Sequence, residues 1–231
     1  VTALVGALMV PVGGVAGAAA RRIAGAYGVA APRWVVEVAG VLVCLPAGLV
    51  LGWTWRLGPV TVLLTGLLAL SVIDLVLYRL PDPVVGATLV LTGAWMALGE
   101  LVDGDSDSLA RAIIGAGLFS GLLLAIHLVA PAGMGFGDVK LGVVLGLACG
   151  WAASDGFEVL RWVFVALFVG SLIGVVFGGA LVLLRARGID PLADPDAGTA
   201  LAPSRPTGFP FGPALAAGTY IVLLVADRLV A

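Results

Sequence analysis

Charged residues are scarce in this sequence. Only 11% of its 231 residues are Asp, Glu, Lys or Arg, whereas 61% are hydrophobic, and the mean hydropathy is +1.17. This composition leaves too little polar surface to cover a soluble globule, so it predicts an integral membrane protein. The formal net charge is −2 and the basic residues are scattered singly or in pairs, so we expect no nucleic-acid partner.

Potential metal ligands are also few. The two cysteines, Cys44 and Cys149, lie in hydrophobic runs without a Cys-x-x-Cys pair, and His127 is the single histidine. A structural zinc site uses about four such ligands, so we expect neither a metal nor another cofactor. No candidate partner is near His127 in the sequence, which favours a packed or pore-facing histidine over a proton relay.

Long apolar segments make up most of the sequence. They predict an all-α protein, a polytopic bundle of about eight transmembrane helices that forms a single membrane-embedded domain over residues 1–231. The predicted spans are approximately 1–20, 34–52, 58–78, 83–101, 110–130, 139–153, 161–183 and 213–230. The first run lacks a basic start, so we interpret it as a retained span and not as a secretory signal.

The positions of the basic residues predict the orientation of the helices in the membrane, and the positions of the glycines predict where helices pack closely. With the N-terminus outside, most Lys and Arg residues fall on the cytoplasmic side, and the Pro- and Gly-rich segment 184–212 becomes a cytoplasmic loop. Two spans carry glycines four residues apart, which predicts close helix packing. These glycines are Gly142, Gly146 and Gly150 in one span, and Gly170, Gly174 and Gly178 in the other.

Two aspartates lie where the membrane makes charge costly. A charged group at the membrane centre costs roughly 2.5–3.5 kcal/mol on insertion scales, so each one needs a reason to be there. Asp74 lies near the end of the third span, in SVIDLVLYRLPD, and Asp138 ends a glycine-rich loop between the fifth and sixth spans, in GMGFGDVKL. Counting spans places both on the same side of the membrane in either orientation.

Two carboxyl groups at similar depth are what an aspartic protease uses. An ionised one activates water and a protonated one polarises the scissile carbonyl, and a closely packed pair shares a proton. Because Asp138 alone is predicted to stand at a helix N-terminus, we expect it to be the base and Asp74 the acid. Gly135 and Gly137, which flank Phe136, are expected to adopt positive φ and to leave room for a substrate backbone.

Other classes of protein also place acids inside the membrane. An ion- or proton-coupled transporter explains the two aspartates about equally well from the residues alone. Such transporters usually have broken helices in matched halves, and no matched halves are evident here. A non-enzymatic assembly subunit of a secretion machine would need neither acid.

Three segments carry a resemblance to a known family. GMGFGDVKLGVVLG, from residue 133, resembles the GxGD segment of the type IV prepilin peptidases, the A24 family of membrane aspartic proteases. IDLVLYRLPD at 73–82 is similar to their first aspartate segment, and FPFGPALAAG at 209–218 to their C-terminal segment. The resemblance implies that Asp74 and Asp138 are the catalytic pair and that Asp82 is accessory.

The same resemblance implies a location and a substrate. It implies eight membrane helices in the bacterial inner membrane, an active site facing the cytoplasm, and metal-free cleavage of the leader peptide of prepilins or pseudopilins. Many members have two zinc-binding Cys-x-x-Cys pairs after the first span, associated with N-methylation of the product. Here RRIAGAYGVAAPR, at 21–33, occupies that place, so methylation is not expected and the short form resembles the peptidases of Flp-type pili.

Two further charged residues have simpler interpretations. Asp82 precedes Pro83 at the start of a span and is predicted to be a helix N-cap, with substrate orientation as the alternative. Lys140 is two residues beyond Asp138, a spacing that points the two apart on a helix. We therefore expect Lys140 to be an interfacial anchor to lipid head groups, with an accessory role as the alternative. The sequence makes no prediction of oligomeric state.

Overall fold

The computed structural model describes residues 2–131, 134–187 and 210–226, and in this part of the chain all regular structure is α-helical. This confirms the predicted fold class. Most of the predicted 184–212 loop lies outside the described residues. The eight helices are α1 Thr2–Ala26, α2 Arg33–Leu51, α3 Leu57–Leu77, α4 Asp82–Asp103, α5 Ser106–Val129, α6 Phe136–Ala152, α7 Gly156–Ala186 and α8 Gly212–Val225.

Six of these helices are long and apolar enough to cross a membrane, namely α1 to α5 and α7. The other two are shorter: α6 has 17 residues and α8 has 14. At 1.5 Å per residue their lengths are about 26 and 21 Å, against about 30 Å for the hydrocarbon core. The multi-pass character is confirmed, but by length and composition the described residues provide six full spans where eight were predicted.

The two aspartates lie on helices that are packed against several others. Most residues of α6 are buried, and it packs against α4, α5, α7 and α8. About half of α3 is buried, and it packs against α1, α2, α4 and α8. Residues on these helices are therefore held by protein on several sides, which is the setting in which a polar group inside a membrane is tolerated.

Glycines allow the helices around α6 to approach closely, as the four-residue spacing predicts. A Cβ on Gly146 would overlap the backbone of Gly115 in α5, and one on Gly150 would overlap the α5 backbone one turn earlier. On α7, a Cβ on Gly170 would lie 3.0 Å from the backbone of α8, and one on Gly174 would meet the ring of Phe211, the N-cap of α8. Because a larger residue at these positions would force the helices apart, the glycines fix where α6 and α8 lie.

Hydrogen bonds between helices close the end of the bundle that is remote from the aspartates. The indole N–H of Trp151, near the end of α6, donates to Oε1 of Glu100 in α4 at 2.7 Å, and both residues are buried. The indole N–H of Trp55 donates to Oδ2 of Asp103 at 2.7 Å, and its ring packs edge-on against Trp151 at 6.0 Å. The C-terminal end of α6 is therefore fixed to α4.

Candidate active site

Tyr78 ends the helix that carries Asp74. It is the C-cap of α3 and adopts the left-handed conformation, with φ 53° and ψ 39°, while its backbone N–H donates to the Asp74 carbonyl at 2.9 Å. Glycine is the usual residue at such a position, and a bulky residue there is strained. Among the described residues Tyr78 is the sole non-glycine with positive φ. Strain of this kind clusters at functional sites.

The Asp74 side chain is buried at the start of α8. It is 5% exposed, and its Oδ2 accepts a hydrogen bond of 3.1 Å from the backbone N–H of Gly212, the first residue of that helix. A Cβ on Gly212 would lie 2.9 Å from the same oxygen, closer than real Cβ contacts come. Gly212 is therefore part of the site, although it was not among the residues predicted from the sequence. The available signal was a glycine before proline in the segment FPFGPALAAG.

Asp138 has equivalent support from the start of α6. It is 8% exposed and is the third residue of the helix, and its backbone N–H donates to the carbonyl of Gly135 at 3.2 Å. In return, the N–H of Gly135, the N-cap, donates to the Asp138 carboxyl group. The carboxyl group at N3 thus makes one half of a capping box, and the other half is absent because the N-cap glycine has no side chain.

The expected positive φ at the loop glycines is wrong. Gly135 has φ −69° and ψ 147°, and Gly137 is already inside α6 and is not among the positive-φ residues. The reason is that the helix starts at Phe136, earlier than predicted, so the backbone is helical by residue 137. The need for glycine at position 137 is instead steric, because a Cβ there would lie 3.3 Å from Cβ of Leu80.

The structure brings Asp74 and Asp138 together at one end of the bundle. Their carboxyl groups are close enough to interact electrostatically. The helix ends that hold them, the end of α3 and the starts of α6 and α8, therefore all lie at this end. The parity of the predicted spans, which placed both aspartates on one side of the membrane, is confirmed.

Leu80 fills the space between these helix ends. Its side chain lies against Gly137 of α6, and its Cδ2 is 3.5 Å from where a Cβ on Gly212 would be. Leu80 is half-buried and packs against the hydrophobic core. It therefore contacts the starts of both helices whose backbones support the aspartates, a role that was not predicted from the sequence.

Asp82 and Lys140 form an ion pair next to the site. Lys140 Nζ lies 2.7 and 2.6 Å from the two carboxylate oxygens of Asp82, and both side chains are partly exposed. The predicted N-cap role of Asp82 is wrong, because Pro81 is the N-cap of α4 and Asp82 is its first residue. The spacing within α6 excludes Asp138 as the partner of Lys140 but carries no information on α4, so the pairing with Asp82 was not predicted. Head-group contact by Lys140 stays a prediction.

His127 holds the segment that precedes Asp138. Its Nδ1 lies 2.8 Å from the carbonyl oxygen of Met134, which it reaches as a donor, and its ring is tilted against Phe136 at 5.6 Å. This agrees with a packed histidine. Nowhere in the described ranges do three or more His, Cys, Asp or Glu side chains come together in a way that could hold a metal ion.

These features define a class of protein: a multi-pass helical membrane protein in which two buried carboxyl groups lie near enough to interact electrostatically at one end of the bundle, each supported by the start of a helix. The profile of the type IV leader peptidase family matches residues 61–179, a range that includes both Asp74 and Asp138. The chain belongs to this family.

Curated relatives carry the name prepilin leader peptidase/N-methyltransferase. The Pseudomonas aeruginosa protein is 33% identical over 183 residues, which are 77% of this chain and 53% of that protein. The Stutzerimonas stutzeri protein is 32% identical over 78% of this chain and 54% of its own length, and the Bacillus subtilis protein is 27% identical over 82% and 65%. The chain spans about half the length of the first two. No solved structure matches it.

Proposed function

We propose that this chain is a prepilin leader peptidase, a membrane-embedded aspartic endopeptidase that cleaves the leader peptide of type IV or Flp-type prepilins or pseudopilins. The observation that carries the proposal is the convergence of Asp74 and Asp138, two buried carboxyl groups on different helices at one end of the bundle. Family membership and the names of the relatives support the substrate class. These names give no support to the transporter alternative.

The proposed reaction is hydrolysis of a peptide bond by the two carboxyl groups. The carboxylate accepts a proton from water as the water oxygen attacks the scissile carbonyl carbon, and the protonated partner hydrogen-bonds to the carbonyl oxygen. The tetrahedral intermediate then collapses: the C–N bond breaks and the proton taken from water passes to the leaving nitrogen. The products are the leader with a free carboxyl group and the pilin with a free amine.

Backbone N–H groups hold the two carboxyl groups in place for this reaction. Oδ2 of Asp74 accepts a hydrogen bond from the backbone N–H of Gly212, and the Asp138 carboxyl group accepts one from the backbone N–H of Gly135. Because these donors belong to the backbone of a helix start, they have fixed positions and orient the two carboxyl groups. Such orientation before substrate arrives lowers the cost of reaching the transition state. Each carboxyl group lies at a helix N-terminus, that of α8 for Asp74 and that of α6 for Asp138, so this feature does not distinguish them, and the assignment of Asp138 as base stays a prediction.

We place the site at the cytoplasmic face of the bacterial inner membrane. Arg79 in the connection after α3 and Lys140 in the first turns of α6 lie at the end of the bundle that holds the aspartates. Arg21 and Arg33 lie near Glu37, with Arg33 Nε 3.2 Å from its carboxylate. Cytoplasmic loops of membrane proteins carry an excess of Lys and Arg, so basic residues at this end of the bundle favour a cytoplasmic location for the site. The partners in this setting are the prepilin and the surrounding lipid.

N-methylation of the product is not part of the proposed activity. The relatives are named for both activities, but this chain matches only part of their length. The connection between α1 and α2, residues 27–32, is too short to hold a zinc-binding domain. We therefore expect the pilin to be released with an unmodified N-terminus.

Co-expression with a candidate prepilin tests the proposal. Mass spectrometry of the pilin should show loss of the leader and no added methyl group, whereas the prepilin expressed alone should stay intact. Intact prepilin in the presence of the folded membrane protein would contradict the proposed cleavage. A product heavier by one methyl group, with no other candidate enzyme in the cell, would contradict the statement on methylation.

A further inference from the structure

We propose that Asp82 and Lys140 are positioning residues, whose ion pair sets the relative position of the two aspartates. This inference rests on the proposed function. Asp82 follows Asp74 by eight residues and Lys140 follows Asp138 by two, so the pair joins the two segments that carry the catalytic carboxyl groups. The pair itself is outside the buried site and needs no contact with the substrate.

The ion pair has a defined geometry although it is partly exposed. The ammonium group of Lys140 bonds to both oxygens of Asp82, and it also lies 5.4 Å from the ring centre of Phe136. The ring of Phe136 in turn packs against His127. A cation above an aromatic ring is attracted to its face, which restricts the long lysine side chain. Lys140 is the single lysine of the chain, and arginine supplies the other basic side chains.

The chain segment that links Asp82 to the end of α3, which carries Asp74, is short and conformationally restricted. Pro81, the N-cap of α4, has a fixed φ of −67°, and Tyr78 turns the chain in the left-handed conformation at the end of α3. Between them Leu80 lies against Gly137 and close to Gly212. A shift of Asp82 relative to α6 would therefore move Leu80 against the helix starts that donate N–H groups to the site.

Because the ion pair is partly exposed, its loss should affect the position of the catalytic groups more than the stability of the protein. Exposed ion pairs contribute little to the free energy of unfolding, so loss of this one should leave the fold intact. A displacement of catalytic groups by about 1 Å can nevertheless lower the rate by about a hundredfold. The expected signature is a lower kcat with an unchanged KM and an unchanged melting temperature.

A double-mutant cycle tests the proposal. Asp82→Asn and Lys140→Met each remove the ion pair without reversing a charge, and each should lower kcat for prepilin cleavage by about tenfold or more at constant KM. The double variant should be no slower than the slower single variant, because the two residues act through one contact. Lys140→Arg should keep most of the activity. Arg161→Met, which removes an ion pair with Glu158 at the other end of the bundle, is the matched control.

Exchange of the charges provides a stricter test. Asp82→Lys or Lys140→Asp alone should be strongly impaired, and the two together should recover at least part of the lost kcat. Losses that add in the double variant, a raised KM with normal kcat, or a failure of the exchanged pair to recover would overturn the proposal. A fall in melting temperature that accounts for the lost activity would overturn it as well.

Hydrogen exchange separates this inference from the proposed function. In Lys140→Met, the amides of Gly135 and Gly212 should exchange faster than in the parent chain, because their bonds to the two carboxyl groups are displaced. This readout needs no substrate. Faster exchange in a chain that does not cleave prepilin would contradict the proposed function and keep the positioning role, whereas unchanged exchange would overturn the positioning role.

Discussion

Gly212 and Asp74 are joined by a hydrogen bond of 3.1 Å although 138 positions separate them in the chain. The first four N–H groups of a helix have no partner within it, and here one of them is used to hold a carboxyl group. The start of the last helix is therefore part of the site, and its first residue has to be small.

Gly212→Ala tests this arrangement. The added Cβ would lie 2.9 Å from Asp74 Oδ2, so the carboxyl group has to move, and we expect kcat to fall by about tenfold or more. Gly93→Ala, on α4 in open space, is the control and should keep full activity. Cleavage assays on purified protein decide the outcome. Equal activity of the two variants would show that Asp74 does not need its observed position.

Replacement of either aspartate tests the catalytic pair. Asp74→Asn and Asp138→Asn keep side-chain size but remove the ionisable group, so cleavage should be abolished while both proteins still insert in the membrane. Asp107→Asn, exposed in the first turn of α5, should process prepilin normally. The measurement is the ratio of mature to unprocessed pilin. Complete processing by either site variant would remove that residue from the mechanism.

Gly137 should tolerate alanine better than valine. A Cβ at this position meets Leu80 at 3.3 Å, which a small shift of Leu80 can relieve, whereas the two further methyl groups of valine cannot be placed without moving the helix. We expect a loss of a few-fold for Gly137→Ala and about tenfold or more for Gly137→Val in kcat. Gly117→Val, where nothing lies within 4 Å, controls for valine in a helix. Normal processing by Gly137→Val would rule out this steric requirement.

Glu100 should affect stability and not chemistry. Glu100→Ala leaves the buried N–H of Trp151 without its 2.7 Å acceptor, which costs about 1–3 kcal/mol of the free energy of unfolding. Glu100→Gln keeps an acceptor oxygen and should cost less. Thermal unfolding in detergent measures both, and cleavage below the melting temperature should be unchanged. A wild-type melting temperature for the alanine variant would mean that this bond contributes little.

The sequence predicts well those features that depend on one segment or on counting segments. Apolar length locates the helices, and the parity of spans places Asp74 and Asp138 on one side without any knowledge of packing. The glycine repeat of α6 predicts one face of close helix packing, because a face follows from periodicity alone, and α5 is the helix that packs there. All of these are local properties of the chain or simple consequences of order.

Features that depend on a contact between distant segments were not predicted. The partner of Lys140 is on α4 and not on its own helix, and the partner of Asp74 is at the start of α8. The positive φ expected at Gly137 was wrong because the helix begins at Phe136, and helix boundaries depend on capping contacts that the sequence specifies weakly. Leu80 has no distinctive residue type, so only its place between two helices reveals its role.

Helix α6 holds Asp138 near one end, close to Asp74 of α3, and Trp151 near the other, bonded to Glu100 of α4. Asp138 and Trp151 are 13 positions apart, so the rotation of the helix over these positions has to point each side chain at its own partner. An insertion or deletion of one residue between them would rotate one end by about 100° relative to the other. We therefore expect this helix to tolerate changes of residue type more readily than a change in the number of residues between Asp138 and Trp151.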